Sequence, residues 1–166
     1  MPRQARLDAL GAVHHVMARD MEGVDLFRTD KDREDFLSRL AEQCEAEALK
    51  VYAWAFLFNH LHLLVRTGNR PIFVSMRKIL TGYVVRFNRR HQRQGHLFQN
   101  RYKSIICEED PYLMELTRYI HLNPLRAGIV GTVKGIGRYP WTGHYSTDIL
   151  TLSPSGMGVE VVAVPI

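Results

Sequence analysis

"FNHLHLLVRT", residues 58–67, sets His60 and His62 one residue apart in an otherwise apolar run. Side chains on a strand alternate between faces, so His60 and His62 share one face while Leu61 and Leu63 take the other. The run just before it, "KVYAWAFLF" (50–58), is rich in aromatic and β-branched residues and predicts a second strand. Asn59 marks a tight turn between them, so the two runs make a hairpin. Two imidazoles on one face of a strand can reach a single metal ion. Alone the pair is a weak signal, because no CxxC, HExxH or third nearby Cys or His closes a zinc site around it.

The flanking sequence sets this hairpin in a larger pattern. "AVHHVMAR" (12–19) reads as a strand. "TDKDREDFLSRLAEQCEAEALK" (29–50) reads as a helix from about Asp30. Thr29 or Asp30 can cap it, acids fill its first turn, and Phe36, Leu37, Leu40 and Cys44 form its apolar stripe. "RPIFVSMRKILTGYVVRFNRRH" (70–91) is a second helix, with Ile72, Phe73, Met76, Ile79, Leu80, Tyr83, Val84 and Phe87 at helical spacing. "RRHQRQGH" (89–96) is a basic loop, and "LFQNRYKSIIC" (97–107) is a further strand candidate. Asp110-Pro111 starts a helix over "PYLMELTRYIHLN" (111–123), which Pro124 stops, and "PLRAG" (124–128) turns. The order strand, helix, strand, strand, helix, strand, helix predicts an α+β fold, an antiparallel sheet with helices on one face. Residues 1–145 form one domain in this reading. Residues 146–166 are a tail, loosely tied or with one late strand at "VEVVAV" (159–164).

The chain has 166 residues, enough for one core, with 46% hydrophobic and 23% charged residues. It lacks the run of about 18 apolar residues that a membrane span needs. The basic start lacks the apolar core of a secretory leader. Cys44 and Cys107 make no disulfide framework and are expected reduced and buried, in a cytoplasmic protein.

Net charge is +5, and its distribution is uneven. From Ala48 to Cys107 there is no Asp or Glu, while Lys50, Arg66, Arg70, Arg77, Lys78, Arg86, Arg89, Arg90, Arg93, Arg101 and Lys103 all fall there. An acid-free basic stretch is the footprint of a polyanion partner, most often nucleic acid.

A phosphodiester partner gives the histidines a use. Tyr119 and Asn123 are four residues apart, on one face of their helix. The Asn123 amide oxygen could join His60 and His62 on a metal, with the Tyr119 hydroxyl a turn away. A metal-bound phosphodiester is more electrophilic, and a phenolate can attack it in line. This neutral nitrogen and oxygen donor set suits Mg²⁺ or Mn²⁺. Tyr83 is the rival nucleophile, although its place in an apolar stripe fits core packing better. His15, His91 and His96 remain open.

Taken in order, "HHVMARD" (14–20), "LFNHLHLLVRT" (57–67), "FNRRHQRQGHLFQNRYKS" (87–104), "RYIHLNPLRAGIV" (118–130) and "YPW" (139–141) resemble the REP-associated tyrosine transposases. That group is a branch of the single-tyrosine HUH endonucleases, related to the transposases of small single-strand insertion sequences. The resemblance covers about residues 12–145. It implies a ferredoxin-like antiparallel sheet, with His60 and His62 as the HUH metal ligands and Asn123 in the third ligand's place. Tyr119 would be the nucleophile, forming a 5′-phosphotyrosine and freeing a 3′-hydroxyl. The implied partner is single-stranded DNA carrying a hairpin, the REP element, bound by a nucleoid-associated monomer or homodimer. Arg86, Arg89, Arg90, Arg93, Arg101 and Lys103 would then line the DNA path, and His96, Phe98 and Tyr102 could stack on unpaired bases. The pattern departs at the C-terminus, where "GMGVEVVAVPI" (156–166) replaces further helical sequence. The competing readings are a hairpin-binding protein without catalysis and an RNA-binding regulator.

Overall fold

The protein is described here by a computed structural model covering residues 8–107 and 112–143. Strand β1 (Val13–Arg19) leads to helix α1 (Asp30–Glu45), then to the hairpin of β2 (Leu49–Phe56) and β3 (His60–Thr67). Helix α2 (Ile72–Arg90), strand β4 (Lys103–Cys107) and helix α3 (Tyr112–His121) follow, then two short helices, α4 (Asn123–Arg126) and α5 (Val133–Ile136). The four strands lie in the order β2-β3-β1-β4 with antiparallel neighbours. A β-α-β-β-α-β chain path with this order is the ferredoxin-like arrangement.

Local chemistry explains the boundaries. Thr29 caps α1 in a reciprocal box with Asp32, whose carboxylate accepts from the backbone of Arg28 at 2.9 Å and Thr29 at 3.0 Å. Pro71 precedes α2 and offers no side-chain cap. The Asp8 carboxylate fills that role, accepting from the Ile72 N–H at 2.9 Å. β4 is shorter than the run 97–107 suggested. Residues 97–99 instead dock on the end of β1, with Leu97 accepting from the Met21 N–H and Gln99 donating to the Arg19 carbonyl. The turn expected at 124–128 starts as a helical turn, α4, with Pro124 in its first positions. The helix start at 110–111 and the tail from 146 lie outside the described residues.

Helices cover both faces of the sheet, not one. Val16, Ala18, Leu61, Leu63, Val65, Trp54 and Phe56 pack against Phe36 and Leu40 of α1 and Met76, Ile79, Tyr83 and Phe87 of α2. Val13, Ala53, Ala55 and Leu64 point the other way and meet Leu113, Leu116, Tyr119 and Ile120 of α3. Sequence period identifies an apolar stripe on each helix, but not which side of the sheet receives it. Segment 139–143 lies along β2: Trp141 accepts from the Phe56 N–H and Gly143 donates to the Trp54 carbonyl, each at 2.9 Å. Cys44 and Cys107 are free thiols, and both are half-buried where full burial was expected.

Candidate functional site

The site lies on the α3 face, on the two middle strands. Antiparallel register sets His60 across from Arg19 and His62 across from Met17, with His15 one pleat further along β1. All are on one face of the sheet, as period two requires. The His60 and His62 ring centroids are 5.1 Å apart. Tyr119 reaches down from α3, its ring 6.0 Å from His62 and 6.2 Å from His15, edge-on to both. Asn123, buried at the start of α4, lies beside His60, and its amide nitrogen donates to the Tyr119 carbonyl at 3.3 Å. The structure therefore brings together His60, His62, Tyr119 and Asn123 from three elements that are distant in sequence.

The two imidazoles are held differently. His60 Nδ1 is 2.6 Å from Asn59 Oδ1, an acceptor, so Nδ1 carries the proton and Nε2 keeps its lone pair. His62 Nδ1 is 3.1 Å from His15 Nε2, and the two rings stack at 25°. Burial holds the His60 pKa below the usual histidine range, helped by the Arg19 charge and opposed by the nearby Asn123 amide. Burial, then the charges of His60 and His15, push His62 down to about 3. Burial also lowers His15. Neutral imidazoles are the form that binds metal.

Among the described residues no three His, Cys, Asp or Glu side chains gather to hold a metal ion. The donor set is two imidazole nitrogens and an amide oxygen, which fits an open site that takes its remaining oxygens from substrate and water.

Tyr83 faces the opposite core. It is fully buried, its hydroxyl donates to the Leu26 carbonyl, and burial drives its pKa far up, with the Asp32 and Asp35 charges adding to the rise. It packs on Phe27, Phe36 and Phe87 and has no route to the histidines.

The basic residues divide. Arg86 and Arg89 are exposed on α2, with Arg86 loosely paired to Asp35 at 4.0 Å. Arg90 is committed to Asp32, whose side chain is fully buried and also meets His91 at 2.9 Å. His91 is thus a structural partner and not part of the site. Arg93 is tied to Asn88 at 2.9 Å and to the His96 carbonyl at 3.2 Å, which shapes the basic loop. His96, Arg101 and Lys103 are exposed. Tyr102 is buried in the α1–α2 core and Phe98 packs against that core, so Tyr102 has no free face for a base. Tyr102 lies in the strand candidate 97–107, where sequence alone does not tell a buried ring from an exposed one.

Sequence reading missed three residues. Asn59, taken as a turn former, also accepts from His60. Arg126 lies with its guanidinium 4.8 Å over the Tyr119 ring, and Arg19 stands across from His60. Strand pairing could have named Arg19 once the β1–β3 register was known. The break between α3 and α4 hides Arg126 from helical spacing.

Comparison with known proteins gives the family. Residues 11–123, more than half of the chain, match the family model described as transposase IS200-like, and the chain belongs to that family. By family it is a DNA transposase. No curated protein matches the chain. A solved structure of a REP-associated tyrosine transposase bound to a REP hairpin is similar in fold. Its TM-score is 0.70 at 13% identity, and the match covers 100% of this chain and 95% of that one. No helix among the described residues is long and apolar enough to cross a membrane.

Proposed function

We propose that the protein is a metal-dependent single-strand DNA endonuclease and strand transferase that acts on REP-like hairpins through Tyr119. The observation that carries this reading is the convergence of His60, His62, Asn123 and Tyr119 on one face of the sheet. The hairpin-bound state of the structurally similar transposase supports the choice of substrate.

His60 and His62, with Asn123, would hold Mg²⁺ or Mn²⁺, which when bound polarises the scissile phosphate. Tyr119 Oη attacks phosphorus. A bond forms from the tyrosine oxygen to phosphorus, the P–O3′ bond breaks, and the phenol's proton is balanced by protonation of the departing 3′-oxygen. The product is a 5′-phosphotyrosine and a free 3′-hydroxyl. Attack by a 3′-hydroxyl on the same phosphorus reverses the step and joins strands, so no nucleotide triphosphate is consumed. Arg126, against the Tyr119 ring, is placed to meet a phosphate that approaches Oη. Arg19, Arg101 and Lys103 extend positive charge from the site along the end of β1 and onto β4. Phosphate contacts of this kind give affinity and register, not base choice.

The test is cleavage of end-labelled hairpin oligonucleotides, taken from palindromes flanking the gene, in Mn²⁺ with and without chelator. The reading expects cutting that chelation stops. Tight binding with no cutting of any palindrome would favour a hairpin binder without catalysis.

A further inference from the structure

We propose that His15 is a positioning residue for the metal site: as acceptor for the His62 Nδ1 proton, it fixes the tautomer that leaves His62 Nε2 bare for the ion. This rests on the proposed metal role of His62.

The argument is proton placement. A neutral imidazole carries one N–H, so a ring that gives Nε2 to a metal must keep its proton on Nδ1. His60 meets this condition through Asn59 Oδ1, which can only accept. His62 has no carboxylate or carbonyl at Nδ1; its partner there is His15 Nε2 at 3.1 Å. Between two neutral rings that bond has two possible directions. If His15 donates, the His62 proton sits on Nε2 and blocks the ion. If His62 donates, Nε2 is free and His15 holds its own proton on Nδ1. A metal-competent site therefore requires His15 to be the acceptor.

The geometry suits a fixed support. His15 is 6% exposed, on the central strand β1, and is stacked on His62 with centroids 5.3 Å apart. It also meets the Tyr119 ring edge-on at 6.2 Å, so it touches both a ligand and the nucleophile. Partners of this kind set ligand orientation, and their loss typically costs roughly 10–100-fold in metal affinity.

The test compares full-length wild type with His15→Phe and His15→Gln. Phenylalanine keeps a flat ring in the stack but accepts no proton, whereas glutamine retains an acceptor. Thermal melts establish that each variant folds. Mn²⁺ affinity is read by electron paramagnetic resonance, with His62→Ala as control, and the metal-free His62 tautomer by ¹H–¹⁵N ring correlations. The expected result is a Kd raised about 10-fold or more in His15→Phe and largely restored in His15→Gln. With it goes an Nδ1-protonated His62 in wild type that is lost in His15→Phe. Equal Mn²⁺ affinity and an unchanged tautomer in His15→Phe would overturn the role of His15 and leave the metal site standing. A wild type that fails to bind Mn²⁺ would overturn the metal reading instead. The positioning role then falls with it, and the tautomer tells the two failures apart: an Nε2-protonated His62 in wild type shows that His15 is not the acceptor, whereas an Nδ1 proton lost in His15→Phe shows that the hydrogen bond stands and only the metal is missing.

Discussion

The two faces of this sheet carry the same backbone and opposite chemistry. Toward α1 and α2 the strands present Val16, Leu61, Leu63, Trp54 and Phe56, and an aromatic cluster closes over them. Toward α3 the same strands present His15, His60 and His62, with Ala55 of β2 across from His62. Each face also receives a tyrosine. Tyr83 is locked into a hydrogen bond within an apolar core, while Tyr119 is half-buried beside imidazoles and an arginine. A phenol is a weak nucleophile until its surroundings favour the phenolate, and burial holds the proton on Tyr83.

The sharpest way to break this comparison is to exchange the tyrosines' fates. Tyr119→Phe should abolish covalent attachment to DNA while sparing affinity. Tyr83→Phe should keep attachment and cost about 1–3 kcal/mol of stability, because the buried Leu26 carbonyl loses its donor. Denaturing gels and chemical melts read the two effects separately, and adducts formed through Tyr83 would invert the assignment.

Next in size is His60→Ala. Cleavage should fall by more than about 100-fold, since losing a ligand exceeds the usual cost of losing a ligand's support. Undiminished cutting would remove the metal from the account.

A third prediction concerns stability on the α1–α2 side. Burial alone would raise the Asp32 pKa, but hydrogen bonds from His91, Arg90 and the backbone of Arg28 and Thr29 outweigh it and hold the carboxylate below its ordinary value. A depressed folded-state pKa stabilises the fold above the unfolded value, and that contribution is lost as pH falls through the folded one. Asp32→Ala should therefore destabilise by roughly 3–5 kcal/mol at neutral pH, leaving Arg90 and His91 without their carboxylate. The deficit against wild type should shrink in acid, and a deficit that stayed constant with pH would show that the carboxylate's charge is not what matters.

The smallest effect separates two adjacent arginines. Arg89→Ala should lower the salt slope of DNA binding by about 1 with the fold intact. Arg90→Ala should act mainly on stability, through Asp32. An unchanged slope in Arg89→Ala would take α2 off the DNA path.

Much of this was legible from residue spacing. Aromatic and β-branched content marked the first strand of the hairpin, and period two put His60 and His62 on one face of the second. Period 3.6 marked α1 and α2, and Thr29 and Pro124 marked helix ends. The four residues of the candidate site could be grouped because each bears a side chain whose proposed chemistry is incomplete without the others. Tertiary placement was not legible. Nothing local tells α3 to pack on the face opposite α1 and α2, and that choice is what carries Tyr119 to the histidines. Tyr102 was misplaced for the same reason, since its ring enters the α1–α2 core. Asn59 looked complete as a turn residue, so its second bond to His60 left no trace in the sequence.

The central claim is that the α3 face does covalent chemistry on DNA. The most direct test is incubation of labelled single-stranded hairpin DNA with the protein and Mn²⁺, followed by a denaturing gel of wild type, Tyr119→Phe and Tyr83→Phe. The account predicts a protein-linked band in wild type and Tyr83→Phe that is absent from Tyr119→Phe. A band that persists in Tyr119→Phe would contradict it.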